Sequence, residues 1–103
     1  MKPMIFDGND DAYLDWLTSH PRGYVINARR TFVSTYMVLH TSECRRIGTT
    51  KRAKGAYTER DYVKICAIEL DDLRRWLRQH GRPDGTFSKE CSGCSQRNAM
   101  ISS

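Results

Sequence analysis

Two pairs of metal-binding side chains, far apart along the chain, are the sequence feature that most constrains the fold. His40 and Cys44 follow an apolar run, and Cys91 and Cys94 form a Cys-x-x-Cys pair some fifty residues later. Thiolate sulfur and imidazole nitrogen are ligands that zinc prefers, usually as a tetrahedral set of four. We therefore predict one structural Zn²⁺ ion, bound by His40, Cys44, Cys91 and Cys94.

Cys66 is a fifth candidate ligand and competes with His40 for the fourth position. It stands inside the apolar segment 62–67, where an unpaired cysteine commonly behaves as a small buried apolar side chain. The sequence favours His40 and keeps Cys66 as the alternative.

The size and composition of the chain favour a single zinc-binding domain over residues 1–103. No run of 18 apolar residues is present, so we expect no membrane partner. The first residues lack the apolar stretch of a signal peptide, and we expect a cytoplasmic protein. Thiols stay reduced in the cytoplasm, which favours metal binding over disulfides for a Cys-x-x-Cys pair.

Apolar periodicity predicts two helices and about three strands. Helices are predicted over 10–20, with Asn9 or Asp10 as the cap, and over 68–80, with Gly81 as a left-handed cap. Strands are predicted over 23–29, 36–40 and 62–67, the first two as an antiparallel pair because their connection is short. The predicted fold class is α+β, a small antiparallel sheet with two helices, held together by the zinc ion.

The positive charge of the chain is concentrated in its middle. Seventeen Lys and Arg against twelve Asp and Glu give a net charge of +5, and twelve of the seventeen are arginines. A basic, arginine-rich surface is suited to phosphate, so nucleic acid is an expected partner. An ordinary solvated surface is the alternative. The residues that we predict to contact nucleic acid are Arg29, Arg30, Arg45, Arg46, Lys51, Arg52 and Lys54.

The order of these motifs resembles the zinc-binding N-terminal domain of the Ada alkyl-DNA repair proteins. A strand ending in His40, then Cys44, a strand over 62–67, a helix ending in glycine and a Cys-x-x-Cys pair follow one another as they do in that family. The resemblance covers about residues 36–96 and places Cys44, Cys91 and Cys94 on zinc ligands. It implies a zinc module with a small sheet and helices that contacts DNA.

Two departures separate this chain from that family. His40 stands where the family has the cysteine that accepts a methyl group from DNA, and a zinc-bound imidazole is a poor alkyl acceptor compared with a thiolate. Residues 48–60 form an insert. We therefore carry over the metal site and not the methyl-transfer reaction.

The sequence predicts a binding module and not an enzyme. It has no Gly-rich phosphate loop, Ser-His-Asp pattern or evident acid–base pair. Four protein ligands would also occupy every coordination position of the zinc ion and leave none for a substrate. The first hypothesis is a zinc-stabilised module that binds DNA through its basic face. The alternative is a regulatory protein-interaction module of a mobile element or defence system, docking a partner through Trp16, Tyr57 or the 74–78 helix face.

Overall fold

One five-stranded sheet and two helices make up the described part of the chain, which in this computed structural model is residues 2–48 and 55–91. In chain order the elements are β1 (Met4–Phe6), α1 (Asp10–Ser19), β2 (Tyr24–Arg29), β3 (Met37–Thr41), β4 (Tyr62–Ala67), α2 (Leu70–Gln79) and β5 (Lys89–Glu90). The strand order across the sheet is β1-β4-β2-β3-β5. The α+β class is confirmed, with five strands in place of about three.

The three strands expected from the sequence form the centre of the sheet. β2 pairs antiparallel with β3 on one side and with β4 on the other. The helices are slightly shorter than predicted, and both caps are in place. The Asn9 side chain accepts a hydrogen bond from the Ala12 N–H at 3.0 Å, and Gly81 has a φ of +96°.

Two short strands were missed, and they change the character of the sheet. β1 adds to β4 antiparallel, but β5 adds to β3 in parallel, so the sheet is mixed and not purely antiparallel. The two strands have three residues and two residues, which is too short for an alternating pattern. Their pairing with a neighbouring strand, which is not visible in the local sequence, gives them their conformation.

The two helices cover opposite faces of the sheet. The β1-α1-β2 and β4-α2-β5 units are both crossovers between parallel strands, and both move across the sheet in the same direction. The strands of one unit run opposite to those of the other. Crossovers of one common handedness therefore place α1 and α2 on opposite sides. We call these sides the α1 face and the α2 face.

Each face has its own hydrophobic core, because alternate residues of a strand point to opposite sides. On the α2 face, Ile26, Leu39 and Ile65 of the sheet pack with Leu73 and Leu77 of α2. On the α1 face the core contains both aromatic rings and cysteines. Its members are Phe6, Tyr13, Trp16, Leu17, Val25, Val38, Cys44, Ile47, Tyr57, Cys66 and Cys91.

The first turn of α1 is fastened to the segment that precedes β4. The buried Asp10 carboxylate accepts hydrogen bonds from the Thr58 N–H at 2.7 Å, the Thr58 hydroxyl at 2.6 Å and the Tyr57 N–H at 3.3 Å. Burial by itself would raise the pKa of Asp10, but these hydrogen bonds outweigh it and hold the pKa below its ordinary value. Across 2–48 and 55–91, neither helix is long and apolar enough to cross a membrane.

Candidate metal centre

The pairing of β5 with β3 brings His40 and Cys91 side by side. Val38 is opposite Lys89 and Leu39 is opposite Glu90, so Cys91 arrives next to His40. The Cys91 N–H donates to the Leu39 carbonyl at 2.9 Å, which extends the pairing one residue past the strand. Both side chains belong to the α1 face, since they alternate with residues of the α2 face.

A turn directly after β3 supplies the third side chain. The Cys44 N–H donates to the Thr41 carbonyl at 3.0 Å, and the Cys44 carbonyl accepts from the Ile47 N–H at 3.2 Å. These bonds fold the chain back over the end of β3, where the Cys44 Sγ lies 3.9 Å from the Cys91 Sγ. This separation is well above the covalent S–S length of about 2.05 Å, so no disulfide joins Cys44 to Cys91.

The three side chains form one buried cluster that can hold a metal ion. One ligand atom from each of His40, Cys44 and Cys91 lies within 4.8 Å of the other two. The three residues are 6%, 7% and 3% exposed, respectively. Buried sulfur and imidazole donors that converge on one point are the donor set of a transition-metal site.

The surroundings of His40 keep its imidazole neutral. Burial lowers the pKa of His40 to about 4, and the charges of Lys64 and Arg46 act in the same direction. The imidazole is therefore neutral at physiological pH and keeps a lone pair for a cation. A metal ligand must be deprotonated, so no proton has to leave His40 before binding.

Cys66 does not join this cluster. Val25 is opposite Cys66 on one side and opposite His40 on the other, so a whole strand separates the two residues. Two strand spacings amount to roughly 9.5 Å, too far for one ion. Cys66 is fully buried, and burial raises the pKa of its thiol. It is an apolar core residue, whereas Cys94 lies outside the described residues.

Two of the predicted phosphate-binding arginines lie next to the cluster and are open to solvent. Arg45 and Arg46 follow Cys44 in its turn, and both are exposed. Lys89, two residues before Cys91, is a further exposed cation that the sequence interpretation did not include. The other predicted cations Lys51, Arg52 and Lys54 lie outside the described residues.

Arg29 and Arg30 have other contacts. The Arg29 guanidinium lies 5.7 Å from the ring centre of Tyr36 and 5.5 Å from that of Tyr62. Arg30 is tied to the fold: its guanidinium donates to the Thr58 carbonyl at 2.7 Å, to the Arg60 carbonyl at 2.9 Å and to the Asp7 carboxylate. The protein itself therefore engages Arg30, which leaves this side chain less available to phosphate than Arg45 or Arg46.

A small cavity opens beside the cluster on the α1 face. It has a volume of about 290 Å³ and is bordered by His40 and Cys91. Asn27, Tyr36, Arg46 and Lys89 give it polar and charged walls, and Val38 and Ile47 give it apolar ones. The only local signal for this cavity was Asn27, an amide on the same side of β2 as the buried Val25.

Comparison with protein-family models, curated proteins and solved structures gives no match to this chain. The resemblance to the Ada zinc domain therefore depends on the motif residues themselves. Of the positions that carry it, the structure brings together His40, Cys44 and Cys91.

Proposed function

We propose that the cluster binds Zn²⁺, with Cys94 as its fourth ligand. Two thiolates on a tetrahedral zinc ion with Zn–S bonds of about 2.3 Å have their sulfurs about 3.8 Å apart. The observed separation between Cys44 and Cys91 is 3.9 Å. Cys94 completes the Cys-x-x-Cys spacing that is typical of such sites. The ion would cross-link the β3 turn to the chain after β5.

We further propose that the zinc-stabilised module binds DNA through the cations around this cluster. The single observation that carries the proposal is the position of Arg45 and Arg46, exposed on the turn that Cys44 anchors. The turn that places Cys44 next to Cys91 also carries both arginines. Lys89 adds a third charge from the neighbouring strand. Phosphate contacts of this kind are largely independent of sequence and weaken steeply with salt.

The proposed function does not include methyl transfer. The position that would have to accept the alkyl group carries the imidazole of His40, whose nitrogen is a weaker nucleophile toward alkyl groups than a zinc thiolate. The role proposed for the metal is to hold the fold and the cationic turn in place.

The experiment is a titration of a short fluorescently labelled DNA duplex with the zinc-loaded protein at several salt concentrations. We expect binding at low salt that weakens as salt rises. The double variant Arg45→Ala, Arg46→Ala is expected to bind at least about tenfold more weakly, and its salt slope is expected to fall by about two, one for each lost phosphate contact.

The matched control is Lys2→Ala with Arg75→Ala. These two cations are exposed beside β1, at the opposite edge of the sheet from β5, and their loss changes the net charge by the same amount. The control is expected to retain binding. No binding of the unmodified protein at low salt would contradict the proposal, and an equal loss in both variants would show that only net charge matters.

A protein partner remains the second candidate. Of the surfaces that the sequence suggested, the 74–78 helix face has its arginines Arg74, Arg75 and Arg78 exposed. Trp16 and Tyr57 are only 9% and 5% exposed, so neither presents a docking surface.

Four large apolar side chains are exposed among the described residues, and three of them lie around the edge strand β1. These three are Met4, Ile5 and Ile68, which are 53%, 47% and 51% exposed, while the fourth, Val33, lies between β2 and β3. Stable co-purification of a protein, lost on Ile5→Lys, would favour this function.

A further inference from the structure

The cavity beside the metal cluster has a combination of groups that needs a ligand with two kinds of chemistry. Arg46 and Lys89 are exposed cations on its border, and none of the described residues that line it is acidic. This part of the cavity favours an anion. Arginine and lysine together at a cavity mouth are a common arrangement for phosphate.

The inner wall of the cavity, at Asn27, favours a hydrogen-bonding group of the ligand. Asn27 Oδ1 is buried and has no hydrogen-bond partner among the residues that the structure describes. Its amide nitrogen lies 3.5 Å from the Tyr36 hydroxyl, which is the limit for a hydrogen bond. If the side-chain amide is rotated by 180°, its oxygen faces the Tyr36 hydroxyl and its nitrogen becomes the atom without a partner. One polar atom of Asn27 is thus available in either orientation, and buried polar atoms are normally paired.

Apolar and aromatic side chains complete the surroundings. Val38 and Ile47 line the cavity, and the Tyr36 ring lies at one side of it. Just beyond, the rings of Tyr36 and Tyr62 have their centres 5.6 Å apart, with the Arg29 guanidinium over both. Aromatic rings interleaved with arginine are the surfaces on which unpaired bases stack.

We propose that this cavity binds a single unpaired nucleotide of DNA, with its base against Asn27 and Tyr36 and its phosphate at Arg46 and Lys89. Base edges carry N–H donors and ring acceptors that suit an amide in either orientation. Phosphate supplies the anion. The volume of about 290 Å³ corresponds to a site for one small ligand. This inference rests on the proposed DNA-binding function and specifies which part of the nucleic acid enters the protein.

The test uses the four deoxynucleoside 5′-monophosphates as probes, with inorganic phosphate and deoxyribose 5-phosphate as the two base-free comparisons. Binding to the full chain is followed by NMR shifts, including those of the Asn27 side-chain amide. We expect at least one nucleotide to bind about tenfold or more tightly than inorganic phosphate, since one added hydrogen bond and the burial of a base correspond to that factor or more.

Variants separate the base contact from the phosphate contact. Asn27→Ala is expected to weaken the nucleotide about tenfold and to leave inorganic phosphate unchanged. Lys89→Gln is expected to weaken both probes, whereas Lys2→Gln, which removes an equal charge from an exposed position near β1, is expected to weaken neither. If Asn27→Ala fails to fold, the comparison of probes on the unmodified protein still decides the question.

The outcomes distinguish this inference from the proposed function. Equal affinity for nucleotides and inorganic phosphate, with shifts confined to Arg46 and Lys89, would overturn the base-binding role even if duplex binding persists. Nucleotide binding that is lost on Asn27→Ala would support the cavity even if the Arg45, Arg46 variant leaves duplex binding unchanged. The absence of any shift at Asn27 with every probe would overturn the inference outright.

Discussion

The two faces of the sheet differ in the side chains that they bury, which are apolar on the α2 face and partly polar on the α1 face. On the α2 face, the side chains of β2, β3 and β4 meet Leu73 and Leu77 in a core without a charged group from these three strands. On the α1 face, the same strands contribute Asn27, His40 and Lys64, all of them polar. Alternation along the strands separates the two sets, since every second residue belongs to the other face.

The buried Lys64 of the α1 face is held by a specific partner. Lys64 is 2% exposed, and its ammonium donates to the Tyr57 carbonyl at 2.6 Å among the rings of Tyr13, Tyr57 and Tyr62. A buried cation is tolerated only when it is paired in this way. The α2 face therefore contributes stability through apolar packing, whereas the α1 face combines packing with the cluster of His40, Cys44 and Cys91 and with a cavity.

Loss of a metal ligand on the α1 face is expected to have the largest effect, on both the metal content and the stability of the protein. Cys44→Ser should reduce the metal content, measured by elemental analysis, from one ion per chain to near zero. An ion present at a thousand times its Kd stabilises the folded state by about 4 kcal/mol. The free energy of unfolding of Cys44→Ser should fall by about this amount, because the variant no longer binds the ion. Cys66→Ala is the control, because its thiol lies a strand away, and it should keep the ion. Equal metal loss in both variants would contradict the assigned cluster.

Truncation of the opposite core is expected to cost nearly as much stability without touching the metal. Leu73→Ala empties a position that is fully buried on the α2 face. The free energy of unfolding in urea should fall by about 2–5 kcal/mol, as is usual for leucine truncation in a core. The metal content should stay at one ion per chain, and a parallel loss of metal would show that the two faces are not independent.

Removal of the Asp10 carboxylate is expected to have an intermediate effect. Asp10→Ala leaves the Thr58 and Tyr57 N–H groups without their acceptor and should lower the free energy of unfolding by about 2 kcal/mol. Asp11→Ala is the matched control, since Asp11 is exposed in the same helical turn. An equal loss in both variants would assign the effect to the helix dipole.

The same carboxylate gives a pH dependence of known sign. The pKa of Asp10 in the folded protein lies below its ordinary value, so its charged form is the one that folding favours. Its contribution is fully present above the unfolded-state pKa of about 3.9 and is lost as pH falls through the lower folded-state pKa. The difference in unfolding free energy between the unmodified protein and Asp10→Ala should therefore shrink only in strong acid.

Two glycines outside the helices are expected to show the smallest effects. Gly8 and Gly81 have φ values of +73° and +96°, which a residue with a Cβ adopts only with strain. Alanine at either position should cost about 1 kcal/mol in chemical denaturation. A Cβ at Gly81 would lie 3.1 Å from the Ser34 Cβ, while one at Gly8 meets nothing within 4 Å. Gly81→Ala should therefore cost more than Gly8→Ala.

Local patterns were enough for the elements whose signal is contained in a short stretch. The central strands, both helices, the Asn9 cap and the Gly81 cap follow from periodicity and from the residue types at the ends. The pair His40 and Cys44 follows from its spacing, and the two residues do meet across a turn. The apolar surroundings of Cys66 likewise gave its place in the core.

Features that depend on strand pairing were not visible in the sequence. β5 exists because Lys89 and Glu90 align with Val38 and Leu39, residues about fifty positions earlier. The cavity requires that alignment together with the pairing of Asn27 and Val38 between β2 and β3. The role of Arg30 was also missed, since an arginine that bonds Asp7 and Thr58 has the same local sequence signature as one that binds phosphate.

β5 is an edge strand of the sheet, and its position affects the order in which parts of the protein fold. His40 and Cys44 find each other within a few residues, whereas Cys91 reaches them only after β4 has paired and α2 has crossed two strands. Contacts between distant parts of a chain are generally the slow ones to form. Metal capture by all three side chains should thus report that folding has finished, and a polypeptide released before residue 91 would be left without a closed site.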